Sequence, residues 1–244
     1  MGRFDLFADA LWQFFVAGYA DLRTERDDGL ITPEDVSWYF TTFAEYPLHE
    51  KRALKFARGR VLDIGSGAGR HTLYLQKQKL RVTAIDISPD LVSLAQAVGV
   101  KNARVADIGS TLPFRDGEFD TVILFGNNLG ICGTPKKFQK MLRELYRVTS
   151  PRGRILATTR QPNLIDPVHR RYWQHNLNAG RAMGQVRLRL ILNGKRGNWF
   201  DLLLFSPTEL MQISAKEKWE LAQVYPLESF EEGYAVMMEK VNRS

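Results

Sequence analysis

Short apolar runs alternate with amphipathic segments along residues 60–160, and this alternation constrains the fold more than any other feature. Near-continuous apolar runs predict buried strands, while the segments between them have the residue spacing of helices. The predicted strands are RVLDI, RVTAIDI, NARVADI, FDTVILF and GRILATTR. Such alternation is typical of a doubly wound α/β fold, in which helices cover both faces of a parallel sheet.

Residues 206–241 extend this pattern with one more helix and two more strands. Ser206 to Glu209 combine a hydroxyl cap, a proline at the first helical position and an acid, which predicts a helix start. Ser88 to Asp90 predict a similar start after the second strand. The runs KWELAQVYPL and GYAVMMEKV predict two final strands, which bring the sheet to seven.

Residues 1–59 depart from the alternation. We predict a first amphipathic helix over Phe4 to Leu22, followed by a polar linker, RTERDDG. Thr32 and Pro33, with the acids after them, predict a second helix that starts at Thr32 and that Pro47 interrupts. We therefore assign residues 1–29 to an N-terminal helix and linker, and residues 30–244 to the main domain.

Residues 160–205 interrupt the alternation again and predict an inserted cap made of a helix and a β-hairpin. The runs QVRLRLILN and NWFDLLLF predict the hairpin, joined by GKRG. Eight basic residues and only two acids lie in this cap, so most of the net charge of +7 is concentrated there. The basic residues are Arg160, Arg170, Arg171, Arg181, Arg187, Arg189, Lys195 and Arg196.

Composition and the lengths of the apolar runs indicate the compartment of the protein. A single cysteine, Cys132, rules out an internal disulfide and fits a reducing compartment, so we expect a cytoplasmic protein. No apolar run reaches the roughly 20 residues that cross a bilayer, so we expect no membrane association. Acids interrupt the apolar N-terminus, which favours an amphipathic helix over a signal peptide.

The first predicted strand ends in a glycine-rich turn, DIGSGAG, at residues 63–69. In a doubly wound fold, the first strand-to-helix turn lines the ligand crevice. Arg70 stands where a dinucleotide fingerprint requires its third glycine, and no Lys-Ser or Lys-Thr pair follows as in a P-loop. Both departures disfavour pyrophosphate, and a tight turn without a ligand stays the alternative interpretation.

Two more acids follow at the ends of the next two predicted strands. Asp86 lies in the register of the acid that binds ribose hydroxyls in nucleoside-binding α/β folds, and Asp107 ends the third strand. Together with D-x-G-x-G-x-G and the run LPFRDGEFDTV, these acids resemble the motifs of class I S-adenosylmethionine-dependent methyltransferases. The resemblance extends from about Arg60 to Thr159, although Arg115 stands where the family often has proline.

The resemblance implies a Rossmann-like sheet with an antiparallel last strand, and S-adenosyl-L-methionine as the cofactor. It also implies that Asp86 binds the ribose and that Asp107 contacts the adenine amine. A carboxylate near the turn suits a ligand that carries an ammonium and a sulfonium. The implied cofactor-binding residues are Asp63, Gly65, Ser66, Gly67, Gly69, Arg70, Asp86, Ile87, Asp107, Ile108 and Phe125.

The residues that contact the methyl acceptor are expected in the segment FGNNLGICG, which follows the fourth predicted strand. The segment lacks an N-P-P-Y type motif, and this absence argues against DNA bases and glutamine as methyl acceptors. Asn127 and Asn128 could bind an acceptor or the cofactor, or could only adopt left-handed turn geometry before Gly130. Since no carboxylates cluster nearby, we expect no catechol-type metal site, and an activated sulfonium methyl does not require a metal.

Histidines and aromatic side chains complete the candidates. His49 is a candidate base, whereas His71 at a helix start is better explained as a structural or cofactor-side group. Tyr39, Phe43 and Tyr46 are predicted to share one face of the second helix, either packed on the domain or forming a wall over the cofactor.

These features predict an enzyme that transfers a methyl group by in-line displacement to a small-molecule acceptor, for which an anionic compound is one option. Two alternatives stay open. The basic cap could bind phosphates of RNA in an RNA-modifying methyltransferase. The chain could also bind the cofactor and act as an interaction module without turnover.

Overall fold

The computed structural model describes residues 5–241, and the predicted helix start at Phe4 lies outside them. Helix α1 spans Asp5–Ala17, and two short strands follow, β1 (Leu22–Arg26) and β2 (Ile31–Glu34). Two 3-10 helices, Val36–Phe40 and Phe43–Glu45, then lead into α2 (Leu48–Leu54).

The alternating region keeps its predicted order of strands and helices. It comprises β3 (Arg60–Ile64), α3 (Arg70–Lys77), β4 (Arg81–Asp86), α4 (Pro89–Ala97), β5 (Ala103–Val105), β6 (Phe119–Leu124), α5 (Pro135–Val148) and β7 (Thr149–Thr159). A short 3-10 helix, Asn128–Gly130, lies between β6 and α5. The third predicted strand is shorter than expected, because β5 ends two residues before Asp107.

The remainder of the chain holds the segment predicted as a cap, residues 160–205, and the end of the seven-stranded sheet. Its elements are α6 (Pro167–Asn178), β8 (Gln185–Leu192), β9 (Lys195–Arg196), β10 (Phe200–Leu203), α7 (Pro207–Lys216), β11 (Trp219–Pro226) and β12 (Tyr234–Lys240). Helix α7 begins as predicted: the Ser206 Oγ accepts from the Glu209 amide at 3.3 Å, and the Glu209 carboxylate accepts from the Ser206 amide.

Among the described residues, seven strands form one mixed sheet in the order β11-β12-β7-β6-β3-β4-β5. The pairs β4 with β5 and β6 with β7 are parallel, whereas β12 is antiparallel to both β7 and β11. The predicted seven-stranded, mostly parallel sheet with an antiparallel last strand is thereby confirmed.

The described chain forms two compact units. The first unit contains residues 5–46, 63–107 and 187–200, and the second contains residues 47–62, 108–186 and 201–241. The first unit is held by an apolar core in which leucines of α1 and α4 pack with Ala68 of the glycine turn. The predicted domain boundary after residue 29 stays a prediction.

A second sheet corrects the predicted linker. Its strand order is β10-β8-β1-β2, and β9 pairs with β8. Strand β1 occupies the segment predicted as a linker and pairs antiparallel with β8, from Leu22 opposite Leu192 to Arg26 opposite Leu188. The prediction was wrong because β1 buries polar side chains that have partners: Arg26 is only 5% exposed and donates to both carboxylate oxygens of Asp28 at 2.7 Å.

The helix predicted from Thr32 does not form. Thr32 and Pro33 lie in β2, opposite Thr24 and Arg23 of β1. Strand β2 is an edge strand, the position that tolerates proline because one of its sides needs no hydrogen-bond partner. The predicted common face of Tyr39, Phe43 and Tyr46 is therefore also wrong, since these rings lie on or beside two separate 3-10 helices.

Candidate functional site

The glycine turn between β3 and α3 has the backbone that only glycine adopts readily. The φ angles of Gly65, Gly67 and Gly69 are 69°, 53° and 84°, all in the left-handed region. The amides of Gly65 and Ser66 both donate to the Ile85 carbonyl, at 2.9 and 3.1 Å, which ties the turn to β4. The three glycines thus fix the shape of the turn that the sequence predicts as the cofactor cradle.

The space around the turn differs between its glycines. A Cβ at Gly69 would overlap the Cγ2 of Val100, so this residue is required for packing. A Cβ at Gly67 would meet only the Cδ1 of Leu11, at 4.0 Å. Gly67 is itself buried, but its packing leaves room for a Cβ, so close packing alone does not require glycine there.

Asp86 ends β4 with its carboxylate fixed by the backbone. One oxygen accepts from the Gly67 amide and the other from the Ser88 amide, each at 3.1 Å. The side chain is 5% exposed, and burial raises the pKa of the carboxyl. The Ser88 hydroxyl caps α4 by accepting from the Leu91 amide. Asp86 is therefore not needed as the cap of this helix.

Asp63 is buried at the base of the turn. Its carboxylate accepts from the Thr72 hydroxyl at 2.6 Å, and burial raises its pKa while the nearby His71 and Arg70 oppose that rise. The Asp63 charge also contributes to the raised pKa of Asp86. The sequence did not predict this hydrogen bond of Thr72, because no local pattern links the residue to an acid nine residues earlier.

The Ser66 hydroxyl adds a polar atom to this region. Its Oγ is buried and has no hydrogen-bond partner among the described residues. An unsatisfied buried hydroxyl is costly unless a ligand or water supplies a partner. Together with the Asp86 carboxylate, this hydroxyl oxygen fits a ligand with hydroxyl and amino groups.

Arg70, the first residue of α3, is enclosed by aromatic rings. Its guanidinium carbon lies 4.7 Å from the ring centroids of both Trp38 and Tyr46. One guanidinium nitrogen donates to the Thr41 hydroxyl at 3.2 Å, and the Tyr46 hydroxyl donates to the Arg70 carbonyl at 2.7 Å. The sequence predicted Arg70 at the cofactor and missed the Trp38 ring above it.

The other predicted cofactor-binding residues are less enclosed. In the first unit, Ile87 is exposed just after β4, and Asp107 is exposed two residues past the end of β5. Ile108 and Phe125 belong to the second unit, where Phe125 is buried directly after β6.

In the second unit, the loop after β6 contains the predicted acceptor residues. Asn127 has a φ of 65°, and its amide donates to the Thr158 hydroxyl near the end of β7 at 3.4 Å. The left-handed geometry that Asn127 could adopt is therefore present. Asn128 is half-buried and begins the 3-10 helix.

His49 lies near the end of β7 within the same unit, on α2 rather than on the predicted second helix. It is 6% exposed, and its Nε2 lies 3.8 Å from where a Cβ of Gly233 would stand. Thr159, opposite Tyr234 in the pairing of β7 with β12, has a buried hydroxyl without a hydrogen-bond partner. These residues form a polar cluster that the sequence indicated only through His49.

The remaining histidines have other surroundings. The His71 ring is buried in α3, with its centroid 5.0 Å from that of Tyr46. His169 is half-buried in the first turn of α6, and His175 is exposed in its last turn.

The basic cap is partly neutralised by an acid from outside it. Arg189 donates to both oxygens of Glu25 at 2.8 and 2.9 Å, and Arg196 donates to the same carboxylate at 3.0 Å. The Arg189 guanidinium holds the pKa of Glu25 at about 2. Arg160, Arg170 and Arg171 are exposed.

No group of three or more His, Cys, Asp or Glu side chains in residues 5–241 could hold a metal ion. Within the same range, no helix is long and apolar enough to cross a bilayer.

Known proteins resemble the chain over the fold and the turn described above. Residues 62–157 match the family model of the methyltransferase domain. The crystal structure of an S-adenosylmethionine-dependent methyltransferase from Bacteroides fragilis, in complex with S-adenosyl-L-homocysteine, superposes with a TM-score of 0.84. It is 25% identical, and the match covers 99% of this chain and 97% of the other. Residues 62–157 thus match a methyltransferase domain, and nearly the whole chain is similar to an S-adenosylmethionine-dependent methyltransferase, which confirms the resemblance seen in the sequence.

Curated relatives match shorter stretches. Malonyl-[acyl-carrier protein] O-methyltransferase of Pseudescherichia vulneris is 30% identical over 144 residues, 57% of this chain and 55% of that protein. Demethylmenaquinone methyltransferase of Thermus thermophilus is 32% identical over 136 residues, 51% of this chain and 59% of that protein. The chain spans less than two thirds of the length of these relatives.

Proposed function

We propose that the first unit binds S-adenosyl-L-methionine and that the protein transfers its methyl group to a small-molecule acceptor. The observation that carries the proposal is the Asp86 carboxylate, buried at the end of β4 and fixed by the Gly67 and Ser88 amides. A fixed acid beside a left-handed glycine turn is the arrangement that binds ribose hydroxyls in nucleoside sites.

The cofactor contacts that we propose in the first unit come from the turn and from the two strand ends after it. Asp86 accepts from the ribose hydroxyls, and the Ser66 hydroxyl partners the polar amino-acid end of the ligand. Asp63 contributes a negative field that favours the ammonium and the sulfonium. The proposed set in this unit is Asp63, Gly65, Ser66, Gly67, Gly69, Asp86, Ile87 and Asp107, while the roles of Ile108 and Phe125 stay predictions from the sequence.

When bound, the cofactor supplies a sulfonium methyl group that is already activated for displacement. The contribution of the protein is then alignment and exclusion of water. A base is required only where the acceptor must lose a proton, and His49 Nε2 is the group that we propose for this task. Asn127, Asn128 and the Thr159 hydroxyl would orient the acceptor in the second unit.

A small-molecule acceptor is favoured over RNA because ion pairs already engage part of the basic cap. Arg189 and Arg196 are already bound to Glu25, so two of its eight cations are not free for phosphates. The malonyl-[acyl-carrier protein] and demethylmenaquinone enzymes, whose names indicate non-nucleic-acid acceptors, support the same choice. RNA modification and cofactor binding without turnover remain outcomes that experiment decides.

Ligand-dependent thermal stability tests the cofactor assignment. S-adenosylhomocysteine at a hundred times its dissociation constant should stabilise the protein by about 2.7 kcal/mol, whereas NADH and ATP should not. Asp86→Ala should lose most of this shift. Asp90→Ala, which removes an exposed carboxylate from the first turn of the same unit's α4, is the matched control and should retain it. Stabilisation by NADH or ATP alone would refute the assignment.

Methyl transfer tests the acceptor. Cofactor with a labelled methyl group is incubated with the protein and a fractionated cell extract, and label should appear in low-mass compounds. Label in RNA would overturn the small-molecule proposal, and no label above that of Asp86→Ala would favour an interaction module. His49→Gln should lower transfer without weakening S-adenosylhomocysteine binding, because His49 is proposed to act on the acceptor.

A further inference from the structure

The aromatic segment, residues 36–46, bridges two helices of the first unit. Tyr39 packs edge-on against Phe7 of α1, with ring centroids 4.9 Å apart. Phe43 stacks on Tyr74 of α3 at 4.2 Å, with the rings within 5° of parallel. Since α3 begins at the glycine turn, this segment is attached to the helix that completes the proposed cofactor cradle.

Arg70 connects the aromatic segment directly to that turn. Its guanidinium lies against Trp38 and Tyr46 and donates to Thr41, three residues spread along the segment. Its carbonyl accepts from the Tyr46 hydroxyl, so both its backbone and its side chain hold the segment. The neighbouring residue is Gly69, the last glycine of the turn.

The position is an unfavourable one for a cation. The N-terminus of a helix carries a partial positive charge, which repels a guanidinium at the first helical residue. Arg70 is nevertheless 8% exposed. The faces of two aromatic rings attract the cation, and the Asp63 carboxylate also interacts favourably with it. The two rings help to compensate for the helix dipole only while the aromatic segment stays in place.

We propose that Arg70 is a positioning residue that fixes the aromatic segment against the first turn of α3 and thereby couples the order of this segment to cofactor binding. The coupling rests on the proposed cofactor site, whereas the anchoring does not. This role differs from the direct cofactor contact predicted from the sequence, because the guanidinium is engaged by rings and a hydroxyl of the protein.

The proposal requires arginine specifically. A planar guanidinium can lie against two ring faces and donate in plane at the same time, which a lysine ammonium cannot. Arg70→Lys keeps the charge and most of the aliphatic stem, so it should behave like Arg70→Ala and not like the native protein. Lys77→Ala removes an exposed cation from the last turn of the same helix and is the matched control.

The anchoring is tested without ligand through Trp38. The chain has five tryptophans, so the Trp38 emission is obtained as the difference between each protein and its Trp38→Phe counterpart. Quenching of this emission by acrylamide should increase in Arg70→Ala and Arg70→Lys, and should be unchanged in Lys77→Ala. Equal quenching in all four proteins, with native circular dichroism, would overturn the anchoring.

The coupling is tested by calorimetric titration with S-adenosylhomocysteine. Arg70→Ala and Arg70→Lys should bind S-adenosylhomocysteine about tenfold more weakly. A loss of this size is expected because two cation–π contacts that hold the aromatic segment in place are removed, and binding requires the segment in that place. Because coupling is reciprocal, saturating ligand should restore protection of Trp38 in both variants. A role limited to stability would leave quenching insensitive to ligand. Tyr46→Phe, which keeps the ring and loses the hydroxyl, should give a smaller change.

The outcomes separate this inference from the proposed function. If the native protein does not bind S-adenosylhomocysteine, the proposed function fails and the coupling fails with it, while the quenching data still decide the anchoring. If the native protein and Arg70→Ala bind with the same affinity, the coupling is wrong and the cofactor assignment stands.

Discussion

Replacing Gly69 with alanine should destabilise the protein through one identifiable overlap. Gly69 has a φ of 84°, and a Cβ added there would overlap the Cγ2 of Val100. Val100 is 3% exposed and packs in a small cluster with Ala95 and Ala103. Its β-branched side chain has few alternative rotamers, so it cannot simply turn away.

The expected magnitude has two parts. A left-handed conformation costs a residue with a Cβ about 1–2 kcal/mol, and overpacking of a close-packed core typically costs about 1–3 kcal/mol. Gly69→Ala should therefore lower the free energy of unfolding by about 2–5 kcal/mol. Gly67→Ala is the matched control: its φ is 53°, but its Cβ would meet only the Leu11 Cδ1 at 4.0 Å. It should cost only the first part, about 1–2 kcal/mol.

Urea unfolding of a double-mutant cycle measures the overlap directly. Val100→Ala should cost about 2 kcal/mol by itself, since it removes the equivalent of two buried methylene groups. Combined with Gly69→Ala, it removes the atom that the new Cβ would overlap, so the double variant should cost about 1–3 kcal/mol less than the sum. Strict additivity, or equal losses for Gly69→Ala and Gly67→Ala, would refute this reasoning.

Three further predictions concern charge, buried hydrogen bonds and close packing. Because the folded-state pKa of Glu25 is about 2, below its ordinary 4.5, the stabilisation by its arginine partners is fully present above pH 4.5 and lost as pH falls toward 2; Glu25→Gln should flatten this part of a urea-unfolding series. Thr72→Val removes the donor to the buried Asp63 and should lower stability by about 1–3 kcal/mol. Burial raises the pKa of Asp63, so stability contributed by this carboxyl falls as pH rises, and melting temperatures should show a larger loss for Thr72→Val at high pH. Gly130→Ala would place a Cβ onto the Leu203 carbonyl, so by thermal unfolding it should be more destabilising than Gly180→Ala, whose Cβ meets no atom within 4 Å.

The alternating region was predictable because each strand there is an apolar run whose burial does not depend on a particular partner. Strand β1 is different. Its buried side chains include Thr24 and Arg26, which can be buried only because Glu34 and Asp28 provide their hydrogen bonds. Its pairing partner, β8, lies more than 160 residues away, and no local pattern records such a partner.

Identical local signals can also have different outcomes. Thr134 and Pro135 begin α5, where the threonine hydroxyl accepts from the Lys137 amide. Thr32 and Pro33 have the same order but lie in an edge strand, because pairing with β1 outweighs the local preference for a helix start. The predicted second helix failed for this reason.

Some features of the candidate site could likewise be predicted from the sequence, and others could not. The left-handed glycine turn and the place of Asp86 at the end of β4 were predictable because both follow from positions at the ends of consecutive strands. The aromatic enclosure of Arg70 was not, since Trp38 was assigned to a helix that does not form and lies 32 residues earlier. Thr159 carries no pattern of its own, and only the pairing of β7 with β12 brings it near Gly233.

The two buried acids of the first unit predict how cofactor binding should depend on pH. Burial raises the pKa of both Asp63 and Asp86, and the Asp63 charge adds to the rise at Asp86. A ligand that donates hydroxyl hydrogens to Asp86 favours its charged form, so binding should release a proton and lower this pKa. The affinity for S-adenosylhomocysteine should therefore fall as pH is lowered from neutral through the range in which the raised pKa of Asp86 lies, and Asp86→Asn should bind weakly with little pH dependence. Calorimetric titrations across this range measure the effect, and an affinity of the native protein that stays constant would contradict a role for ionised Asp86 in the site.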